Sequence, residues 1–285
     1  MKKINLVLVL FIFFSSDAFS ESLKIKYFQT DLRYAYRIDL LKIAMEKTVK
    51  SDGQYSLEPV KEEMTQSRGI LFLEKGEKVN IGFFPSNKER EAKLFPVKIP
   101  ILRGLLGYRV SLIRKGSLVD FSKIESLDQL KTKFSAGFGD QWADFEILRI
   151  NNIPVFGTSK YESLFSMLSV KRFDYFPRGI NEAWNEISEK KEKYPNLAVD
   201  PYIALYYPYP VYFFVNKNNL KLADRVERGL TIALEDGTFK ALFLKYHSKI
   251  IQQADLNNRK IFILKNPTLA EGTPVPNTSW WLDRQ

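Results

Sequence analysis

Leu23-Lys24-Ile25-Lys26-Tyr27-Phe28, Asp39-Leu40-Leu41-Lys42-Ile43-Ala44-Met45-Glu46 and Val79-Asn80-Ile81-Gly82-Phe83-Phe84 are the stretches whose reading decides the fold. The first alternates apolar and basic side chains, the period of a strand. In the second, Asp39 is placed to cap a helix by accepting backbone N–H bonds, and Leu40, Ile43 and Ala44 share one face. Between the second and third stretches, Tyr55 to Val60 reads as a strand and Met64 to Leu73 as a helix. The third is a strand stopped by Pro85. Strand–helix–strand–helix–strand is the rhythm of an α/β layer with a largely parallel sheet.

The same rhythm restarts after a further strand, Tyr108 to Ile113. A short helix (Ile124–Leu130), a strand (Lys133–Phe138), a helix from about Asp140 to Asn151 and a strand at Pro154–Phe156 follow. Tyr161 to Val170 is helical, with Leu164, Phe165 and Leu168 on its packed face. A strand at Phe173–Phe176, a helix over about 180–191 and a strand from Leu197 to Ala204 complete a second unit of the same class. Val211 to Val215 reads as a strand returning to the first unit. Helices follow at Leu220–Leu234 and from Thr238, separated by Asp236-Gly237, where glycine takes a left-handed cap cheaply. The tail from Pro267 carries Trp280 and Trp281, whose paired indoles are expected to dock on the first unit.

Residues 1–20 have the layout of a cleavable signal peptide. Lys2 and Lys3 precede an apolar run from Leu6 to Phe14, and Ala18 and Ser20 stand at the small positions of a cleavage site. The run is too short to span a bilayer, and the later apolar stretch Tyr206–Val215 is broken by Pro208 and Pro210. Cysteine is absent, so no lipid-bearing cysteine can follow the leader; a free periplasmic protein of a Gram-negative cell is expected. The net charge of +10 is scattered, without a basic block or a nucleic-acid motif. A mildly basic surface or a basic cleft for an anionic solute remains, and nucleic acid is set aside as a partner. His247 is the only histidine, and with no cysteine and no Gly-x-Ser-x-Gly elbow the sequence points away from an enzyme, a metal site or a cofactor. His247 is expected to serve packing or the surface.

Four stretches resemble the type II periplasmic solute-binding proteins, in particular the family that binds amino acids and similar polar solutes. They are Arg37–Ala44, similar to an aspartate-started first helix; Asn87–Phe95, similar to a Thr-Pro-Glu-Arg element; Ser159–Phe165 with Val170–Tyr175; and Glu235–Tyr246 around Asp-Gly-Thr. Their order and spacing run over residues 23–250. The resemblance implies two α/β lobes with mixed sheets flanked by helices and a cleft between them. Lobe one would be 21–110 plus 212–285, including the C-terminal tail, and lobe two 111–211. It implies a monomer that closes on a small polar, carboxylate-bearing solute and delivers it to an inner-membrane transporter. The alternative is a sensor or orphan binding protein reporting to a separate membrane receptor.

Arg90 is the leading candidate for the solute carboxylate, because a guanidinium offers two parallel donors and Arg90 matches the family's carboxylate-binding arginine. Gly139, Asp140, Gln141 and Trp142 follow a strand at an expected helix start, where free N–H groups can meet an anion. Phe28, Tyr34, Tyr36 and Phe84 are candidate aromatic walls, although 14 tyrosines and 22 phenylalanines make core roles common. Where the family carries an aspartate for the solute's ammonium, this chain has Arg178 or Gly179. An ammonium would lose its partner there, and Arg178 would favour a second acidic group.

Overall fold

The computed structural model describes residues 22–142 and 144–274. The leader and the indoles of Trp280 and Trp281 lie outside the described residues. Among the described residues there are twelve strands: β1 (Leu23–Tyr27), β2 (Tyr55–Pro59), β3 (Ile81–Pro85), β4 (Leu94–Val97), β5 (Tyr108–Arg114), β6 (Ala136–Gly139), β7 (Val155–Thr158), β8 (Tyr175–Gly179), β9 (Leu197–Val199), β10 (Ile203–Tyr206), β11 (Val211–Asn216) and β12 (Lys260–Ile263).

They form the two lobes of a type II periplasmic-binding fold. In lobe one β1 pairs with β2 in parallel, and β3-β11-β4 form an antiparallel trio. These two sheets meet along β1 and β3 with little backbone ladder. Amide side chains stand in for it. Asn80 Oδ1 accepts from Lys26 N, Asn80 N donates to Lys26 O at 2.9 Å, and the Gln29 amide bonds both Phe83 N (2.9 Å) and Phe83 O (2.7 Å). Lobe two is a seven-stranded sheet in the order β12-β10-β5-β8-β6-β7, with β9 also on β5. Strand directions are mixed: β6 runs parallel to β7 and β8, while β5 is antiparallel to β8, β9 and β10.

The expected strand Leu197–Ala204 is interrupted. Asp200 accepts from Tyr202 N (3.1 Å) and Ile203 N (3.0 Å), and this turn splits β9 from β10. The first helix begins earlier than expected, at Ala35, and runs to Lys47. Asp31 caps the preceding 3-10 turn Leu32–Tyr34, accepting from Arg33 N at 2.9 Å, and that turn feeds the helix directly. Asp39 is therefore inside the helix and is not its cap. Its carboxylate accepts from Tyr246 Oη at 2.6 Å, tying the helix to Thr238–Ala254. The helix expected from Asp140 starts only at Phe145 and ends at Ile150. Leu164, Phe165 and Leu168 are fully buried, as their spacing predicts.

The chain passes from lobe one to lobe two between β4 and β5, and back between β10 and β11. The two crossings touch: Tyr207 N donates to Gly107 O at 3.3 Å, and the rings of Tyr108 and Tyr206 lie 4.5 Å apart. A Cβ on Gly107 would stand 2.1 Å from the Tyr207 carbonyl oxygen, so only glycine allows this approach. One expectation is corrected here. Residues 212–285 do not all belong with lobe one, because β12 runs parallel to β10 in the lobe-two sheet. Its partner, β10, is reached only after the two long helices Leu220–Glu235 and Thr238–Ala254 have been laid down.

Candidate functional site

Open α/β sheets generally place their ligand sites at strand ends and the loops after them. In lobe one the segment after β1 and the start of the helix Gln66–Lys75 enclose a hollow of about 520 Å³. Gln29, Asp31, Tyr34, Met64 and Gln66 are among its walls. Tyr34 is half-buried, packs edge-on to Phe83 at 5.4 Å, and is flanked by the guanidiniums of Arg33 (4.8 Å) and Arg37 (4.9 Å). Burial holds the Arg37 guanidinium down to about 10.

Arg90 lies on the short helix Lys88–Lys93, which Asn87 caps by accepting Arg90 N at 2.7 Å. The guanidinium is half-buried 5.4 Å over the Phe84 ring and donates through Nη1 to the Pro85 carbonyl. It lines a groove of about 480 Å³ that shares Gln66 with the Tyr34 hollow. Burial lowers its pKa, and Tyr209 beside it works in the other direction.

Tyr209 belongs to the second crossing and stands between the lobes electrostatically. Burial, then Asp144, push its hydroxyl up to about 12, while Arg109 and Arg90 oppose them. It thus feels Arg90 from lobe one and the Arg109–Asp144 pair from lobe two.

On lobe two the crossing strands and the turn after β6 build a buried charged cluster. Arg109 donates to Asp144 (2.5 Å) and to Tyr207 Oη (2.7 Å), and Tyr207 Oη donates to Asp144 at 2.6 Å. Burial alone would lower the Arg109 pKa; Tyr207, Asp144 and Glu182 outweigh it and hold the guanidinium charged. Arg178 makes a two-pronged pair with Glu186 (2.7 and 2.5 Å) and lies 3.2 Å from Glu182. Its guanidinium also stacks over Trp142 at 4.8 Å. Two guanidiniums here face three carboxylates, and Glu182, 36% exposed, is the one that reaches solvent. It also accepts from Gly179 N at 3.0 Å.

The sequence candidates fare unevenly. Arg90 and Tyr34 line adjoining hollows on lobe one, and Trp142 sits half-buried beside the charged cluster. Tyr36 is a core residue: it is 3% exposed, and its hydroxyl donates to Ile101 O at 2.7 Å. Helix formation from Ala35 turns it inward. Phe84 is fully buried with Phe28, Tyr212 and Phe214 and reaches the groove only by supporting Arg90 from below. Asp140 and Gln141 are exposed in the turn before Phe145, away from any helix start. Gly139 is buried because Trp142 folds back on it: a Cβ there would meet Trp142 Cδ2 at 2.4 Å. Arg178 is 7% exposed, and its Nε and Nη2 donate to Glu186 with Glu182 3.2 Å from Nη2, so its charge is already balanced by carboxylates. His247 packs against Tyr36 at 4.6 Å and Phe243 at 4.9 Å, and neither ring nitrogen finds a partner among the described residues. Burial, with Arg37 nearby, holds it down to about 4. The sequence reading missed Arg109, Asp144, Glu182, Tyr207 and Tyr209. An arginine inside the apolar run Tyr108–Ile113 was the available signal, since charged groups are rarely buried unless paired.

Among the described residues no cluster of histidine and carboxylate side chains could hold a metal ion, and no helix is long and apolar enough to cross a membrane.

No protein-family model and no curated protein matches the sequence. Solved structures do match. A structure from the glutathione import system of Streptococcus mutans, GshT with the cystine importer TcyBC, is 19% identical with a TM-score of 0.52; the match covers 80% of this chain and 95% of that one. A histidine kinase sensor domain similar to periplasmic binding proteins is 15% identical with a TM-score of 0.51, covering 79% and 96%. An ancestral arginine-binding protein bound to arginine is 17% identical with a TM-score of 0.50, covering 79% and 97%. At these identities the likeness is one of fold. Of these, the ancestral protein is bound to arginine and the kinase domain is a sensor domain.

Proposed function

We propose that this chain captures a small polar solute in the interlobe cleft, with a carboxylate of the solute held by Arg90. The observation that carries the reading is the placement of Arg90. Its half-buried guanidinium opens on a groove next to Tyr34 and shares Tyr209 with the lobe-two charged cluster. A guanidinium bound on one edge to Pro85 O keeps its other edge for a two-pronged carboxylate contact. On the opposite lobe the excess of carboxylate, presented at Glu182, suits a positively charged group. The solute that fits both faces is negative at one end and positive at the other. This reverses the expectation of a doubly acidic solute drawn from Arg178, because Arg178 is already neutralised.

Capture proceeds by a shift toward a closed form whose extra contacts only the bound solute provides. We further propose export by the leader 1–20 to the periplasm of a Gram-negative cell, action as a monomer, and delivery to an inner-membrane transporter. The second reading, a receptor-linked sensor, draws on the same fold in a histidine kinase sensor domain.

A melting screen against zwitterionic, acidic and neutral solutes finds the ligand, since binding to the folded form raises stability. Titration of Arg90→Ala then tests the site. Losing one side of a buried charged hydrogen-bond pair costs about 2–5 kcal/mol, or roughly 30-fold to several-thousand-fold in affinity. Arg90→Lys recovers part of this. Binding by Arg90→Ala within about twofold of wild type removes Arg90 from the site.

A further inference from the structure

The chain does not leave lobe two after β12. Leu264 N extends the ladder by donating to Tyr206 O at 2.7 Å, at the very start of the second crossing. Lys265 exchanges two hydrogen bonds with the Asn151 side chain, at 2.8 and 2.7 Å, at the end of the lobe-two helix Phe145–Ile150. Asn266 Nδ2 then donates to Pro208 O at 2.8 Å, within the second crossing itself. Asn266 Oδ1 accepts from Thr268 N (3.1 Å) and Thr268 Oγ1 (2.6 Å). Finally, Thr268 O accepts from Lys88 N at 2.8 Å, the first residue of the lobe-one helix that carries Arg90.

We propose that Leu264–Thr268 is a third interlobe crossing that restrains the hinge, and that Asn266 is the positioning residue that holds it. The strap is bonded to lobe two, to the hinge and to lobe one within five residues, Leu264 to Thr268. A rotation of one lobe against the other changes the distance from Lys88 to Asn151 unless the axis passes through the strap. Pro267 lies between the two anchors, and its fixed φ leaves the strap little slack. A swing must therefore turn about Asn266 or break an anchor. The lobe-one anchor is the first N–H of Arg90's helix, so the restraint also sets where that helix sits. This device does not depend on which solute the cleft takes.

The chain contains no cysteine, so two can be placed freely. Spin labels at Lys75→Cys on lobe one and Glu192→Cys on lobe two, both exposed sites, report the interlobe distance without solute. Asn266→Ala should broaden the distance distribution and add a displaced population. Asn266→Asp retains the acceptor for Thr268 but presents no donor to Pro208, and should broaden it as well. Asn151→Ala frees the other anchor and should do the same. Melting curves identify which variants are folded; if Asn266→Ala fails to fold, the other two decide. Distributions that superimpose on the parent in the folded variants would overturn the proposal. Because no solute is used, the outcome is independent of the cleft assignment.

Discussion

Gly107→Ala should destabilise the protein through one contact. The added methyl would lie 2.1 Å from the Tyr207 carbonyl oxygen, 3.3 Å from its carbon and 3.2 Å from Tyr206 Cε2. Carbon–oxygen contacts in proteins settle near about 3.3–3.6 Å, so the two crossings must part by about 1 Å. Neither side can yield by a rotamer change, because the obstacle is backbone. Overpacking of this kind costs about 1–3 kcal/mol. Stretching the Tyr207 N–Gly107 O bond removes about 1 kcal/mol more. A total of about 2–4 kcal/mol in a chain of this size lowers the melting temperature by roughly 5–15 °C. Gly116→Ala is the matched control: nothing lies within 4 Å of its Cβ position, so its effect should stay within about 0.5 kcal/mol. Calorimetric melts of both variants beside the parent make the comparison. If Gly107→Ala melts within about 1 °C of Gly116→Ala, the crossings are not in contact and the hinge geometry argued from them is wrong.

Other outcomes follow from the buried charges. Asp144→Ala leaves Arg109 buried without its carboxylate and should cost about 3–5 kcal/mol in urea unfolding; a loss below about 1 kcal/mol would mean that the pair is solvated. His247 has a folded pKa near 4 against 6.5 when free, so between those values the unfolded chain takes up a proton that the native ring refuses. Its contribution therefore makes stability fall as pH drops from about 6.5 toward 4. His247→Phe should lose less of its urea midpoint between pH 7 and pH 5 than wild type does, and an equal loss would show that the ring is freely protonated in the native state.

The repeated strand–helix order was readable because each segment carries its own period. The alternation in Leu23–Phe28 and the packed spacing of Leu164, Phe165 and Leu168 are local facts. β4 and β12 were missed for the opposite reason. Each has only four residues, β4 contains Pro96, and their strand character comes from the partners β11 and β10. The start of the first helix was misplaced because Asp39 and Asp31 both look like caps, and only the 3-10 turn decides between them. The place of Arg90 beyond β3, on the lining of a groove, was legible. The Arg109–Asp144–Tyr207 cluster was not, since its members are separated by up to 98 positions and are joined only by the fold. Arg178 was visible as a charge, but its neutralisation by Glu186, eight residues on, was not.

The seam between β1 and β3 gives lobe one a built-in line of parting. The Phe83 amide hydrogen is held by the Gln29 side-chain oxygen, so it is only as protected as one side-chain rotamer. Protection in a native protein is graded by the free energy of the smallest opening that frees each amide. Opening the seam requires the loss of a few amide contacts, whereas opening the trio β3-β11-β4 requires two full ladders to separate. The pair β1–β2, with the segment from Gln29 to Tyr34 that lines the neighbouring hollow, therefore forms an exchange unit of its own. The wall of that hollow can breathe while the sheet behind it stays shut.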